Sequence, residues 1–112
     1  MCTKVQLDNI SKQIAQSYRS VYGNDIVAIY LYGSYAGEDY DNESDIDITA
    51  IVKGNRMDLQ NKLKHVWNIS ADIGLENDII VSPTVIPFDE YEKYKQTHLY
   101  YINIRKEGKQ IG

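Results

Sequence analysis

One cysteine, Cys2, and two histidines, His65 and His98, are all that the 112 residues offer as thiolate or imidazole ligands. A lone cysteine excludes an internal disulfide and any cysteine-cluster zinc site. Two histidines are too few for a His-rich metal centre, so any metal would be held by oxygen. Proline is scarce, with only Pro83 and Pro87, and no Pro/Gly-rich or low-complexity tract divides the chain. One small domain over residues 1–112 is expected. No apolar run approaches the roughly 20 residues that cross a bilayer. The N-terminal Met1-Cys2-Thr3-Lys4 lacks the apolar stretch of a signal peptide, so a cytoplasmic location is expected. Basic charge is in deficit, with 12 Lys+Arg against 16 Asp+Glu for a net charge of −4. That balance argues against sequence-independent nucleic-acid binding, which draws on basic surface to meet phosphates. The remaining composition, 43% hydrophobic and 25% charged, is that of a globular protein and excludes global disorder.

Leu7, Ile10, Ile14, Tyr18 and Val21 recur at spacings of three and four, which predicts an amphipathic helix closed by Gly23. From Ile26 to Tyr32 every residue is apolar or Tyr, the pattern of a buried central strand ending at Gly33. From Asp45 to Val52 the residues alternate, with Asp45, Asp47 and Thr49 on one parity and Ile46, Ile48 and Ala50 on the other. A strand with one buried face and one face over a cleft would read this way. Leu59, Leu63, Val66 and Ile73 predict a second helix, with Gly74 just past its end and Trp67 in its core-facing set. Ile79–Ile86 reads as a third strand that Pro83 makes short or places at an edge. Asp89–Lys106 reads as one helical segment. The order αβ(β)αβα favours an α/β (α+β) fold, a mixed β-sheet flanked by helices.

One stretch carries chemistry: Gly33-Ser34, ten intervening residues, then Asp45-Ile46-Asp47. Side chains two apart on a strand point the same way, so Asp45 and Asp47 converge on one region. Two carboxylates brought together repel each other unless a cation sits between them. Oxygen-only ligands suit Mg²⁺ or Mn²⁺, and Mg²⁺ is commonly held by one or two carboxylates together with substrate phosphates. Gly33 lets a phosphate approach the backbone, and Ser34 offers a hydroxyl and an N–H. This is the minimal kit for phosphoryl or nucleotidyl transfer. A calcium loop is the nearest competitor, because Asp39, Asp41, Glu43 and Asp45 also alternate. An EF-hand counted from Asp39 needs Gly and Glu where Ser44 and Ala50 stand, and counted from Asp41 it needs Gly in place of Ile46. It fails in both frames.

Leu31-Tyr32-Gly33-Ser34-Tyr35-Ala36, followed by Ser44-Asp45-Ile46-Asp47-Ile48, resembles the motif of the minimal nucleotidyltransferases of the DNA polymerase beta superfamily. Leu75–Pro83 resembles that family's third core strand, and Asn103–Gly108 the C-terminal segment of many small members. The resemblance implies a mixed sheet flanked by helices, two Mg²⁺ ions, ATP or another nucleoside triphosphate as substrate, and release of pyrophosphate. It also implies a third carboxylate on a neighbouring strand. Asp78, taken as the opening residue of the third strand, is the candidate, with Glu76 and Asp72 behind it. Many members carry Arg or Lys then Gly where this chain has Gly37-Glu38, so a cation that could touch the triphosphate is missing.

A chain of this length is expected to build the nucleotide and metal half of a site. The resemblance to small members implies that a HEPN-domain toxin supplies the acceptor, a tyrosine that receives AMP, with this chain as the antitoxin. The alternatives are a non-catalytic antitoxin acting by contact and a small-molecule (antibiotic) nucleotidyltransferase. Among the ten tyrosines, Tyr30, Tyr32, Tyr35 and Tyr40 fall around the motif, where a ring could stack on a nucleobase, although apolar packing suits most of them. His65 reads as a surface residue.

Overall fold

The computed structural model describes residues 4–32 and 46–111. Helix α1 (Lys4–Tyr22) is followed by a single 3-10 turn (Gly23–Asp25) and strand β1 (Ile26–Tyr32). Strand β2 (Ile46–Val52), helix α2 (Arg56–Asn77) and strand β3 (Val81–Pro87) come next. Two short helices, α3 (Phe88–Tyr94) and α4 (Leu99–Glu107), and a two-residue strand β4 (Lys109–Gln110) complete the described chain. The strands form one mixed sheet in the order β3-β2-β1-β4. β1 runs antiparallel to β2 and to β4, whereas β2 and β3 are parallel. The α/β architecture expected from the pattern is the one observed.

One face of the sheet is covered by α1 and α2. Leu7, Ile10, Ile14 and Tyr18 from α1 and Leu59, Leu63, Val66 and Ile73 from α2 bury against Ile29, Leu31, Ile46, Ile48, Ala50 and Val52. The helix stripes therefore meet the even-numbered side of β2, as their spacing predicts. Two tyrosines on α1 cross-brace this layer. The Tyr18 hydroxyl donates to the carbonyls of Thr84 (2.7 Å) and Ile48 (3.2 Å), and that of Tyr22 to the carbonyl of Leu59 (2.6 Å). Gly23 ends the helix at φ +61°, a region that favours glycine.

Among the described residues, the opposite face is covered only in part. α3 and α4 bring Tyr91 and Ile104 against Ile51 and Ile86, with Tyr30, Phe88 and Tyr101 packed around them.

β3 is an edge strand, as Pro83 implies, yet it keeps seven residues. The Ile46 N–H donates to the Ile80 carbonyl. In that phase of a parallel ladder the even-numbered residues of β3 face β2, so Pro83 and Pro87 turn their missing N–H toward the open edge.

Several expectations are corrected. α2 does not stop before Gly74 but runs to Asn77. Gly74 is buried inside it, because the Ile79 carbonyl would lie 2.5 Å from any Cβ at that position. The segment 89–106 is two helices, because the N–H groups of Thr97 and His98 both turn back to the Tyr94 carbonyl and close the first helix. Trp67 is 48% exposed and not part of the core. Strand β4 has no counterpart in the sequence reading.

Candidate functional site

β1 and β2 pair as antiparallel neighbours, with Tyr32 in register with Asp47. Gly33 and Ser34 follow β1 in sequence and Asp45 precedes β2. All three, with Tyr35 and Tyr40, lie outside the described residues, so of the Gly-Ser…Asp-x-Asp constellation the structure describes Asp47. Its side chain is half-buried, on the sheet face away from α1 and α2. Across the parallel ladder, Asp47 stands opposite Ser82 of β3. One step along, Thr49 stands between Tyr30 of β1 and Thr84 of β3, and beyond it lie Ile51 and Ile86. The face thus grades from a carboxylate and a hydroxyl at one end to the apolar floor under α3 and α4 at the other.

Asp78 is not where the sequence reading puts it. β3 begins at Val81, and Asp78 is the exposed residue that ends α2. It adopts the left-handed conformation (φ 54°, ψ 49°), and its N–H donates to the Gly74 carbonyl. Three residues separate helix from strand, and the left-handed turn reverses the chain between them. Asp78 therefore lies at the same end of the sheet as the start of β2, but on the connection and not in the strand register. Asp72 and Glu76 are exposed on the last turns of α2. Among the described residues, no group of three or more His, Cys, Asp and Glu side chains gathers in a metal-binding arrangement.

The donor chemistry nevertheless fits a hard cation. Asp47 presents a carboxylate beside the Ser82 position, with hydroxyl-bearing Thr49 and Thr84 behind it, and oxygen donors are what Mg²⁺ and Mn²⁺ take. The sequence reading overlooked Thr49. It is fully buried, and its Oγ1 has no hydrogen-bond partner among the described residues. The alternation of β2 carried the one available signal, since Thr49 shares the parity of Asp47.

Away from this face, Arg56 at the start of α2 and Glu90 of α3 form a two-pronged ion pair on the surface. The carboxylate of Glu90 holds the guanidinium of Arg56 above its ordinary pKa. The pair ties the second helix layer to the first.

Residues 11–101 match the family described as polymerase beta, nucleotidyltransferase. The chain belongs to this family. A nucleotidyltransferase by family, it is also similar to a protein of Methanocaldococcus jannaschii provisionally named protein adenylyltransferase MJ0141. The two are 28% identical over 97 residues, which cover 80% of this chain and 96% of that protein. Among solved structures, a provisionally named nucleotidyltransferase from Sulfolobus solfataricus superposes with a TM-score of 0.61 at 21% identity, covering 95% of this chain and 79% of the other. A toxin–antitoxin structure with AMP-PNP gives a TM-score of 0.51 at 20% identity, covering 89% and 70%. At these identities the structural likenesses show the nucleotidyltransferase fold. No helix among the described residues is long and apolar enough to cross a membrane.

Proposed function

We propose that this nucleotidyltransferase transfers AMP from ATP to a tyrosine hydroxyl of a partner protein, a HEPN-domain toxin that it thereby silences. The observation that carries the reading is the position of Asp47. It is the second residue of the strand that follows the Gly33-Ser34 pair in the sequence, on a sheet face that α3 and α4 cover at Ile51 and Ile86 and on which the carboxylate is half-buried. A protein acceptor is supported by the M. jannaschii relative, whose name is that of a protein adenylyltransferase, and by the toxin–antitoxin assembly among the structural neighbours.

In this reading Asp45 and Asp47 would hold Mg²⁺, and Asp78 would add a carboxylate from the α2–β3 connection. Bound Mg²⁺ would neutralise charge on the phosphates and stabilise the charge that builds as the α-phosphorus is attacked. Gly33 and Ser34 would receive the triphosphate, for which their residue types offer backbone N–H donors and a hydroxyl. The acceptor oxygen bonds to the α-phosphorus, the bond to the β-phosphate bridging oxygen breaks, and pyrophosphate leaves. The phenolic proton passes to a carboxylate of the site, for which Asp78 is the candidate. The partner supplies the nucleophile already oriented, and such orientation can contribute on the order of 7–11 kcal/mol to lowering the barrier. A cytoplasmic setting provides both ATP and Mg²⁺.

The test is incubation with α-labelled ATP and Mg²⁺, with and without the cognate helical partner. Label on a partner tyrosine, with pyrophosphate released and both lost in Asp47→Asn, is the expected result. Tight binding and full neutralisation by an Asp45→Asn, Asp47→Asn double variant would replace this reading with a contact-only antitoxin. Rapid labelling of an aminoglycoside-like compound without any partner would replace it with small-molecule modification.

A further inference from the structure

Thr49 combines two properties that rarely coexist. It is fully buried, in the centre of a four-stranded sheet, and its hydroxyl oxygen has no hydrogen-bond partner among the described residues. Native structures leave few buried polar atoms unsatisfied, because such an atom loses its hydration without recompense. Valine has the same branched shape, a higher affinity for a buried strand position and no polar atom to desolvate. Packing alone therefore favours Val here, and the hydroxyl calls for a different explanation. The second such atom, Ser70 Oγ, is in α2 on the other side of the sheet, away from Asp47.

The location of Thr49 supplies the explanation. Asp47 and Thr49 are two apart on β2 and share a face, which puts their Cα atoms roughly 6.5 Å apart, close enough for a threonine hydroxyl and a carboxylate to meet. On either side, Tyr30 and Thr84 flank Thr49, and Ile51 closes the face beyond it. The hydroxyl is thus shielded from water, on the same sheet face as the half-buried carboxylate and two residues along the strand from it.

We propose that Thr49 is a positioning residue for Asp47: its hydroxyl donates to the carboxylate oxygen that faces back along the sheet when the site is loaded with metal and nucleotide. Outer hydrogen-bond partners of a ligating carboxylate fix the orientation of the ligand, and a buried hydroxyl on the same face can add to those that Asp47 has. The hydroxyl, uncompensated in the structure described here, would gain its bond on loading, so its desolvation is recovered in the loaded state. The inference rests on the reading of Asp47 as a metal ligand.

The experiment compares the full chain with Thr49→Val, Thr49→Ser and Asp47→Asn. Two quantities are read: the melting temperature without metal, and the affinity for Mn²⁺ in the presence of AMP-PNP, from the paramagnetic signal of free Mn²⁺. Thr49→Val is expected to melt at or above the parent temperature while its Mn²⁺ affinity falls about tenfold or more. Thr49→Ser, which keeps the hydroxyl, is expected to restore most of that affinity. Parental Mn²⁺ affinity in Thr49→Val, or a variant that melts several degrees lower or fails to fold, would overturn the proposal. If Asp47→Asn also keeps full Mn²⁺ affinity, the error lies in the metal-site reading and takes this inference with it.

Discussion

Asp47 and Ser82 stand opposite each other in the parallel β2–β3 ladder, so the strand beside the aspartate brings a hydroxyl and not a second carboxylate to it. Placing an acid there tests whether this point of the face is built for a cation. Like charges directly opposite on neighbouring strands destabilise a sheet. Ser82→Asp is expected to lower the melting temperature by a few degrees in chelator and to recover in millimolar Mg²⁺. Equal melting with and without Mg²⁺ would count against a cation at Asp47.

Asp78 presents two separable effects, one of backbone and one of charge. Its left-handed conformation (φ 54°) ends α2, a place that glycine occupies without steric cost. Asp78→Gly is expected to stabilise the protein by about 0.5–1 kcal/mol in denaturant titration. Asp78→Asn keeps a side chain that tolerates this conformation and should leave stability close to the parent. If Asp78 is the third carboxylate, both variants lose at least tenfold in AMP transfer, irrespective of stability. Parental turnover in both would remove Asp78 from the site.

Gly74 reverses the usual sign of a glycine substitution in a helix. Gly→Ala inside a helix ordinarily gains up to about 1 kcal/mol. Here the new Cβ would meet the Ile79 carbonyl oxygen at 2.5 Å, and that carbonyl is backbone on the way into β3. Relieving the clash means displacing the α2–β3 connection, and overpacking of this kind costs about 1–3 kcal/mol. The clash outweighs the propensity, so Gly74→Ala is expected to destabilise by up to about 2 kcal/mol. A gain in stability would show that the connection yields freely.

Much of the architecture was legible in the residues because the periodic signals were strong. Leu7, Ile10, Ile14 and Tyr18 announced α1 and its buried side, and the apolar run from Ile26 announced a central strand. The parts that escaped are those set by tertiary contact. Lys109 and Gln110 carry no strand pattern and are a strand only because Tyr30 and Leu31 present a free edge to them. Trp67 lies roughly 80° around the helix from Leu59, at the border of the buried stripe, where periodicity does not decide between core and surface. The alternation of β2 correctly set Asp47 apart from Ile46 and Ile48. It missed that Thr49, on the parity of Asp47, is fully buried, and that α3 and α4 cover the same face at Ile51 and Ile86. Asp78 was misplaced because a left-handed residue reverses the chain at that point, and only its φ angle reveals it.

Tyr22 gives the protein an alkaline limit. Its hydroxyl donates to the Leu59 carbonyl at 2.6 Å, and burial between α1 and α2 pushes its pKa from 10 up to about 12. Desolvation is the cause: a phenolate there would lose water and face a carbonyl oxygen. In the unfolded chain the same group ionises near pH 10, so between pH 10 and 12 the unfolded state binds fewer protons than the folded one. The contribution of Tyr22 to stability is therefore fully present below pH 10 and is lost as pH rises through 12. Two pH units correspond to on the order of 2–3 kcal/mol. Tyr22→Phe is expected to lose about 1 kcal/mol at neutral pH with the hydrogen bond, and to show a shallower fall in stability across pH 10–12 than the parent. The measurement is a series of urea titrations at fixed ionic strength, with the other tyrosines and the lysines common to both proteins. Parallel curves for the two would mean that Tyr22 ionises in the folded protein as readily as in the unfolded chain, and that its burial is not what limits the protein at high pH.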